Sequence, residues 1–218
     1  VKPMYLSVLY ETLEKENADI AECAYVFAWE NGETKRTKNF EFPEEYVTGH
    51  SGRDAVCEMM YARIHSPFCM CKLFRKEVKV HFPKLKIGED LLAMCDAFLH
   101  VKRVAFCNQP LYLYLQRQGS AVHSEDPEKI FETVHSAERL MEMIDPADRE
   151  LHQAASYFLV DKCLKALMRL YPMKQTDKVK RIAAILKAYR AEVQANPRAP
   201  KIIKMNCMLS RFGIGSLY

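Results

Sequence analysis

The sequence has no apolar run approaching the ~20 residues that a membrane-crossing helix requires, so it offers no candidate span. It also lacks a charge bias strong enough to mark a polyanion as partner. The 32 basic and 28 acidic residues leave a formal charge of +4, dispersed along the chain. No stacking platform with the usual glycine and aromatic motif accompanies that charge, so nucleic acid is not an expected partner. Long disordered tracts are missing too: 49% hydrophobic and 11% aromatic residues suit a globular core. Finally, no Asp-x-Asp triplet occurs anywhere.

Cysteine is plentiful, at eight residues, yet the setting of a disulfide framework is absent. The chain is not small, and Cys57, Cys95, Cys163 and Cys207 fall in apolar runs expected to be helical, where a buried free thiol is the ordinary state. Cys69-Met70-Cys71 is not read as metal-ligand spacing. Free thiols point to a reducing, cytoplasmic compartment.

Taken in order, Lys2 to Glu16 predicts a helix, with Pro3 near its first turn and Met4, Leu6, Leu9 and Leu13 at helical spacing. Ala18 to Trp29 predicts a strand, Asn31-Gly32 a two-residue hairpin turn, and Thr37 to Phe42 the returning strand. Ser51 followed by Asp54 caps a second helix, whose buried face is Val56, Met59, Met60 and Ile64. His50 and His65 flank that helix, where a place facing an active-site cleft is one reading; without a partner at ligand spacing, each is read as a surface or loop residue. Pro67 to Phe74 predicts a core strand with Lys72 and Arg75 at its end. A helix is expected over Glu89 to His100 and a β-run over Val101 to Phe106. Asn108-Gln109-Pro110 then predicts a turn into a strand over Leu111 to Leu115, with Tyr112 and Tyr114 on one face.

The centre of this arrangement is Lys86-Ile87-Gly88-Glu89-Asp90-Leu91-Leu92, where two carboxylates stand between a glycine and an apolar run. Carboxylates at a helix start complement its partial positive charge, and capping alone accounts for them. Their surroundings add a second meaning. Upstream stands Phe68-Cys69-Met70-Cys71-Lys72-Leu73-Phe74-Arg75, and downstream Pro110-Leu111-Tyr112-Leu113-Tyr114 leads into Gln116-Arg117-Gln118-Gly119-Ser120. This ordered set of a "KLFR" strand end, a "GED" helix start and a "PLYxYxxRxGS" segment resembles the acceptor half of a family 2 glycosyltransferase with the GT-A fold.

The resemblance implies a transferase that moves a sugar from a nucleotide-sugar donor to a glycan or lipid-linked acceptor, as in bacterial polysaccharide biosynthesis. It implies Asp90 as the general base on the acceptor hydroxyl, with Glu89 as its neighbour. It further implies Arg117, Ser120, Lys72 and Tyr114 as substrate contacts. For Lys72 a solvated edge is an equal alternative, and for Tyr112 and Tyr114 a half-buried sheet position is. His123 matches a place where such enzymes sometimes carry a metal or phosphate ligand. In this family an Asp-x-Asp segment holds a divalent metal, Mn or Mg, on the donor diphosphate. Its absence here, and the likeness of Val1-Lys2-Pro3-Met4-Tyr5-Leu6 to the segment that follows it, lead to the expectation of a C-terminal fragment, inactive and without cofactor by itself.

The expected fold class is therefore α/β: residues 1–124 as a partial GT-A-like mixed sheet with helices, and residues 125–218 as a C-terminal helical bundle. In the second part Asp126-Pro127, Asp145-Pro146 and Thr176 each open a helix, and Asn196-Pro197 closes the last. The segment from Pro200 mixes Lys201, Lys204 and Arg211 with apolar residues, a pattern that fits a peripheral membrane contact or closure of the bundle. An uncovered sheet edge invites self-pairing and a homodimer. The rival class is a non-catalytic protein-interaction module using the methionine stripe and the helical tail.

Overall fold

A computed structural model describes residues 1–36, 42–116 and 125–212. The chain divides into two compact units, residues 1–83 with 90–123 and residues 84–89 with 124–218.

The first unit is built on a mixed sheet. Strand β1 (Ile20–Ala28) is rich in β-branched, aromatic and small apolar residues and buries nearly every side chain, because both of its faces are covered. It runs parallel to β5 (Arg103–Leu115). Along its other edge it takes β4 (Lys72–Phe74) at its start and β2 (Thr34–Arg36) at its end, both antiparallel. Strand β3 (Val47–Ser51) pairs antiparallel with β5 and completes the order β2-β1-β5-β3. Helix α1 (Tyr5–Lys15) lays Val8, Leu9 and Leu13 on Ala21, Cys23, Cys107 and Leu111 of the sheet. On the opposite face Ala24 and Phe106 pack with Ile64, just beyond helix α2 (Gly52–Met60).

Local chemistry accounts for the helix starts. The Ser51 hydroxyl accepts from the Asp54 amide, as the capping pattern predicts, and Val56, Met59 and Met60 are buried. The methionine stripe is thus core and presents no interaction surface. Gly52 is required by closeness: a Cβ there would lie 1.9 Å from the Phe98 carbonyl oxygen in helix α3 (Glu89–Leu99). Gly88, at φ +86°, turns the chain immediately before α3.

Three expectations are corrected. Asn31-Gly32 lies in a longer connection, residues 29–33, in which Glu33 and Trp29 carbonyls accept from Trp29 and Gly32 amides. Of the returning strand, residues 37–41 lie outside the described residues. Asn108-Gln109-Pro110 does not reverse the chain. Cys23 pairs with Cys107, Ala24 with Pro110 and Tyr25 with Tyr112, so β5 absorbs the extra residues as bulges and continues. A proline without an N–H is tolerated there, since β3 pairs with β5 only as far as Cys107. Asn108 holds the bulge, its amide nitrogen donating to the Phe42 and Pro43 carbonyls. Lastly, Pro67 to Phe74 is not one strand but a 3₁₀ turn (Cys69–Cys71) followed by the three residues of β4.

The second unit is helical. Helix α5 (Arg149–Leu170) is buried along its length and packs with α4 (Pro127–Glu142), α6 (Thr176–Ala195) and α7 (Lys201–Leu209). Asp126 caps α4 as expected, but α5 is capped by Asp148 rather than opened at Asp145-Pro146. Asp145 instead accepts from the Ala147 amide in a local turn. Asn196 closes α6 and, buried, donates to the Gln153 carbonyl. In α7 Cys207 faces inward while Ile202, Met205 and Met208 are half exposed. No helix among the described residues is long and apolar enough to cross a membrane.

Candidate functional site

Asp90 stands in the first turn of α3 and is partly exposed. The thiol of Cys69, from the 3₁₀ turn, lies 3.5 Å from Asp90 Oδ1. Burial and the adjacent Asp90 charge push that thiol above the ordinary cysteine value, so it stays protonated and donates. Glu89 is the first residue of the same helix, partly buried, and belongs with the second unit.

The loop that delivers Cys69 is anchored by a buried charge cluster. Lys72 is 6% exposed and its ammonium points inward, 3.2 Å from Glu22 Oε1. It also donates to the carbonyls of Ser66 (2.9 Å) and Phe68 (2.6 Å). Burial disfavours its charge, yet the acidic groups beside it, Cys71 and Glu22, hold it above the ordinary lysine value. Glu22, 1% exposed, accepts from the Ser66 amide at 2.8 Å and lies 3.0 Å from His65 Nδ1. Burial pushes the Glu22 carboxyl up, but Lys72, His65 and Ser66 together outweigh it and hold it at about 2. Burial and Glu22 push the neighbouring Cys71 thiol up to about 12.

His65 continues the chain outward. Its ring is packed edge-on to Phe98 and Phe106, and its Nε2 lies 3.1 Å from His50 Nδ1. The tautomer with His65 Nδ1–H donating to Glu22 and His50 Nδ1–H donating to His65 satisfies all three groups. At 2% exposure His65 is a core residue, which corrects its reading as surface or loop. The two alternatives for Lys72, an anion contact or a solvated edge, likewise give way to a third: an interior ion pair.

Beside this cluster lies a partly exposed aromatic group. Tyr25 and Phe27 of β1, Tyr114 of β5 and Phe68 of the loop meet with ring centroids 5.8–6.3 Å apart, and Trp29 extends the group from Phe27 at 6.5 Å. Tyr112 instead meets Tyr5 of α1, whose hydroxyl donates to the Met70 carbonyl at 2.9 Å. Arg75 is tied down by the Ala18 carbonyl and Glu14. Arg117, Ser120 and His123 lie outside the described residues.

The structure therefore brings together Asp90, Cys69, Phe68 and Tyr114 through one loop. Glu22 is absent from the sequence reading of this region, and His65 enters it only as a residue flanking α2, without its partner. The available signal was a lone carboxylate inside an apolar strand, since a charge that cannot reach water demands a buried counter-charge. Among the described residues no group of three or more His, Cys, Asp or Glu side chains is arranged to hold a metal. The donor set for a divalent cation is not formed by them.

Comparison with known proteins defines the fold class. The chain is similar to two crystal structures of S. aureus TarS, residues 1–349. With the one in complex with UDP-GlcNAc the TM-score is 0.52 at 15% identity, covering 98% of this chain and 61% of that chain. With the other it is 0.50 at 16% identity, covering 98% and 60%. The chain thus has a glycosyltransferase-like fold and spans less than two thirds of those chains. No family model matches the sequence, and no curated protein does.

Proposed function

We propose that the chain is the acceptor-binding part of a GT-A-like, family 2 glycosyltransferase that moves a sugar from a nucleotide-sugar donor to a glycan or lipid-linked acceptor. The likeness to TarS, solved with UDP-GlcNAc and matched along 98% of this chain, carries the reading. Asp90 is the base. An acceptor hydroxyl oxygen attacks the anomeric carbon, the bond from that carbon to the diphosphate breaks, and the hydroxyl proton passes to the Asp90 carboxylate. A sugar hydroxyl is a poor nucleophile, and a positioned carboxylate is worth roughly 10²–10⁴-fold.

Asp90 suits this role by being partly exposed at a helix start while the partly exposed thiol of Cys69 steadies one of its oxygens. Tyr114, within the aromatic group, offers a face on which a sugar ring can stack. Arg117 and Ser120 are the proposed contacts to phosphate or acceptor, the guanidinium by its planar fork of donors. A divalent metal bound by the whole enzyme would neutralise the leaving diphosphate; among the described residues no group of three or more His, Cys, Asp or Glu side chains is arranged to hold one.

The test is transfer by the whole protein against a panel of nucleotide sugars with Mn²⁺ or Mg²⁺. One donor should turn over, and Asp90→Asn should lower kcat by roughly 10²–10⁴-fold with KM little changed. Undiminished transfer in Asp90→Asn removes the base assignment, and no turnover of any donor removes the reading.

A further inference from the structure

We propose that Lys72, Glu22 and His65 are positioning residues: together they hold the loop of residues 66–71 so that Cys69 stands against Asp90 and Phe68 against the aromatic group. The catalytic meaning of placing Cys69 against Asp90 rests on the function proposed above, whereas the hold on the loop stands on geometry alone.

The geometry is specific to the loop. Of the contacts made by the Lys72 ammonium, only the one to Glu22 neutralises charge. Two others go to loop carbonyls, Ser66 and Phe68, and a third to the Ser66 hydroxyl at 3.2 Å. Glu22 takes the Ser66 amide, and Cys71 places its thiol 3.6 Å from the same carboxylate oxygen. Both loop ends are therefore bonded to one carboxylate on the central strand. The loop's far side carries the two functional contacts, Cys69 to Asp90 and Phe68 to Tyr25 and Tyr114.

A buried ion pair is a poor device for stability alone, since an apolar pair of like volume often does as well. What an apolar pair cannot do is donate to two carbonyls and accept from an amide. The cluster thus fixes backbone position where fixation matters, beside the candidate base. His65 holds the carboxylate's second oxygen and is itself fixed between Phe98, Phe106 and His50, leaving Glu22 one orientation.

Cys69 reports the loop. It is partly exposed, whereas the other cysteines are buried. The experiment is the rate of Cys69 alkylation, followed by mass spectrometry, in the parent and in the double variant Glu22→Gln/Lys72→Met, which removes both charges and keeps the volumes. With folding confirmed by circular dichroism and melting, loss of the two carbonyl bonds should speed alkylation about tenfold. An unchanged rate in a folded double variant overturns the proposal. Hydrogen exchange in the unaltered protein gives a second, independent answer should the variant not fold. The Ser66 amide should exchange no faster than the amides of β1, and exchange far faster than β1 overturns the proposal equally. Neither readout needs sugar transfer, so failure of the transferase reading and failure of this one are separable.

Discussion

Glu22 is a residue whose charge state bears directly on the fold. Its carboxyl is held from the ordinary 4.5 to about 2, burial opposing and Lys72, His65 and Ser66 prevailing. A depressed carboxyl contributes stability that is complete above about 4.5 and lost as the pH falls towards about 2, on the order of 3 kcal/mol. Melting temperature should therefore drop steeply across that window in the parent and much less in Glu22→Gln/Lys72→Met. Equal slopes would count against the paired carboxylate. His50 adds a separate, milder effect of the same sign. Burial and the neighbouring His65 lower its value below the ordinary 6.5, so protonation opposes folding and stability begins to fall below that pH. In His50→Gln the part of the slope that begins below 6.5 should flatten while the Glu22 part, below about 4.5, remains. Removing Lys72 alone is a harsher change. Lys72→Met leaves Glu22 charged without its partner and should cost about 3–5 kcal/mol in denaturant titration.

At the scale of elements, the start of α2 and the start of α3 depend on glycines for different reasons. At Gly52 a Cβ would meet the Phe98 and Val101 carbonyl oxygens, at 1.9 and 2.5 Å, and neither backbone can yield without moving α3. Gly52→Ala should destabilise by about 1–3 kcal/mol, the cost of overpacking a close contact. At Gly88 the left-handed φ of +86° and the Ser136 hydroxyl, 2.2 Å from a built Cβ, both resist a side chain. Ser136 there donates to the Ile87 carbonyl, which ties the residues before α3 to α4. Gly88→Ala should cost about 1–2 kcal/mol and speed exchange of the first amides of α3. Wild-type exchange in that variant would show that the turn tolerates a side chain.

For the whole molecule, the eight thiols give a compact check. None is paired in a disulfide, and seven are buried, in the sheet, the 3₁₀ turn, α2, α3, α5 and α7. Under native conditions one equivalent of alkylating agent should react, at Cys69. Its rate should keep rising with pH beyond the ordinary thiol value of 9.0, because burial and Asp90 keep the thiol protonated. The remaining seven should react only after denaturation. Several equivalents reacting at once in folded protein would contradict the packing. Similarity to TarS bears on the fold at this scale.

The sequence by itself determined what short-range chemistry decides. Apolar spacing placed α1 and α3, Ser51 and Asp126 announced their caps, and the stretch from Ala18 to Trp29, rich in Ile, Ala, Tyr, Val and Phe, marked a strand. The class, a mixed sheet followed by helices, followed from that order. Tertiary structure alone decided the rest, for reasons of distance along the chain. Glu22, His65 and Lys72 are separated by 43 residues or more or by a loop, so no local pattern reveals that they share one interior. The run at Asn108-Gln109-Pro110 has the composition of a turn, and only its pairing with Cys23 and Ala24 keeps it in line as a bulge. Cys69 reads as one more apolar thiol until the fold sets it beside Asp90, because a side chain's chemistry is fixed by its sequence but its partner is fixed by packing.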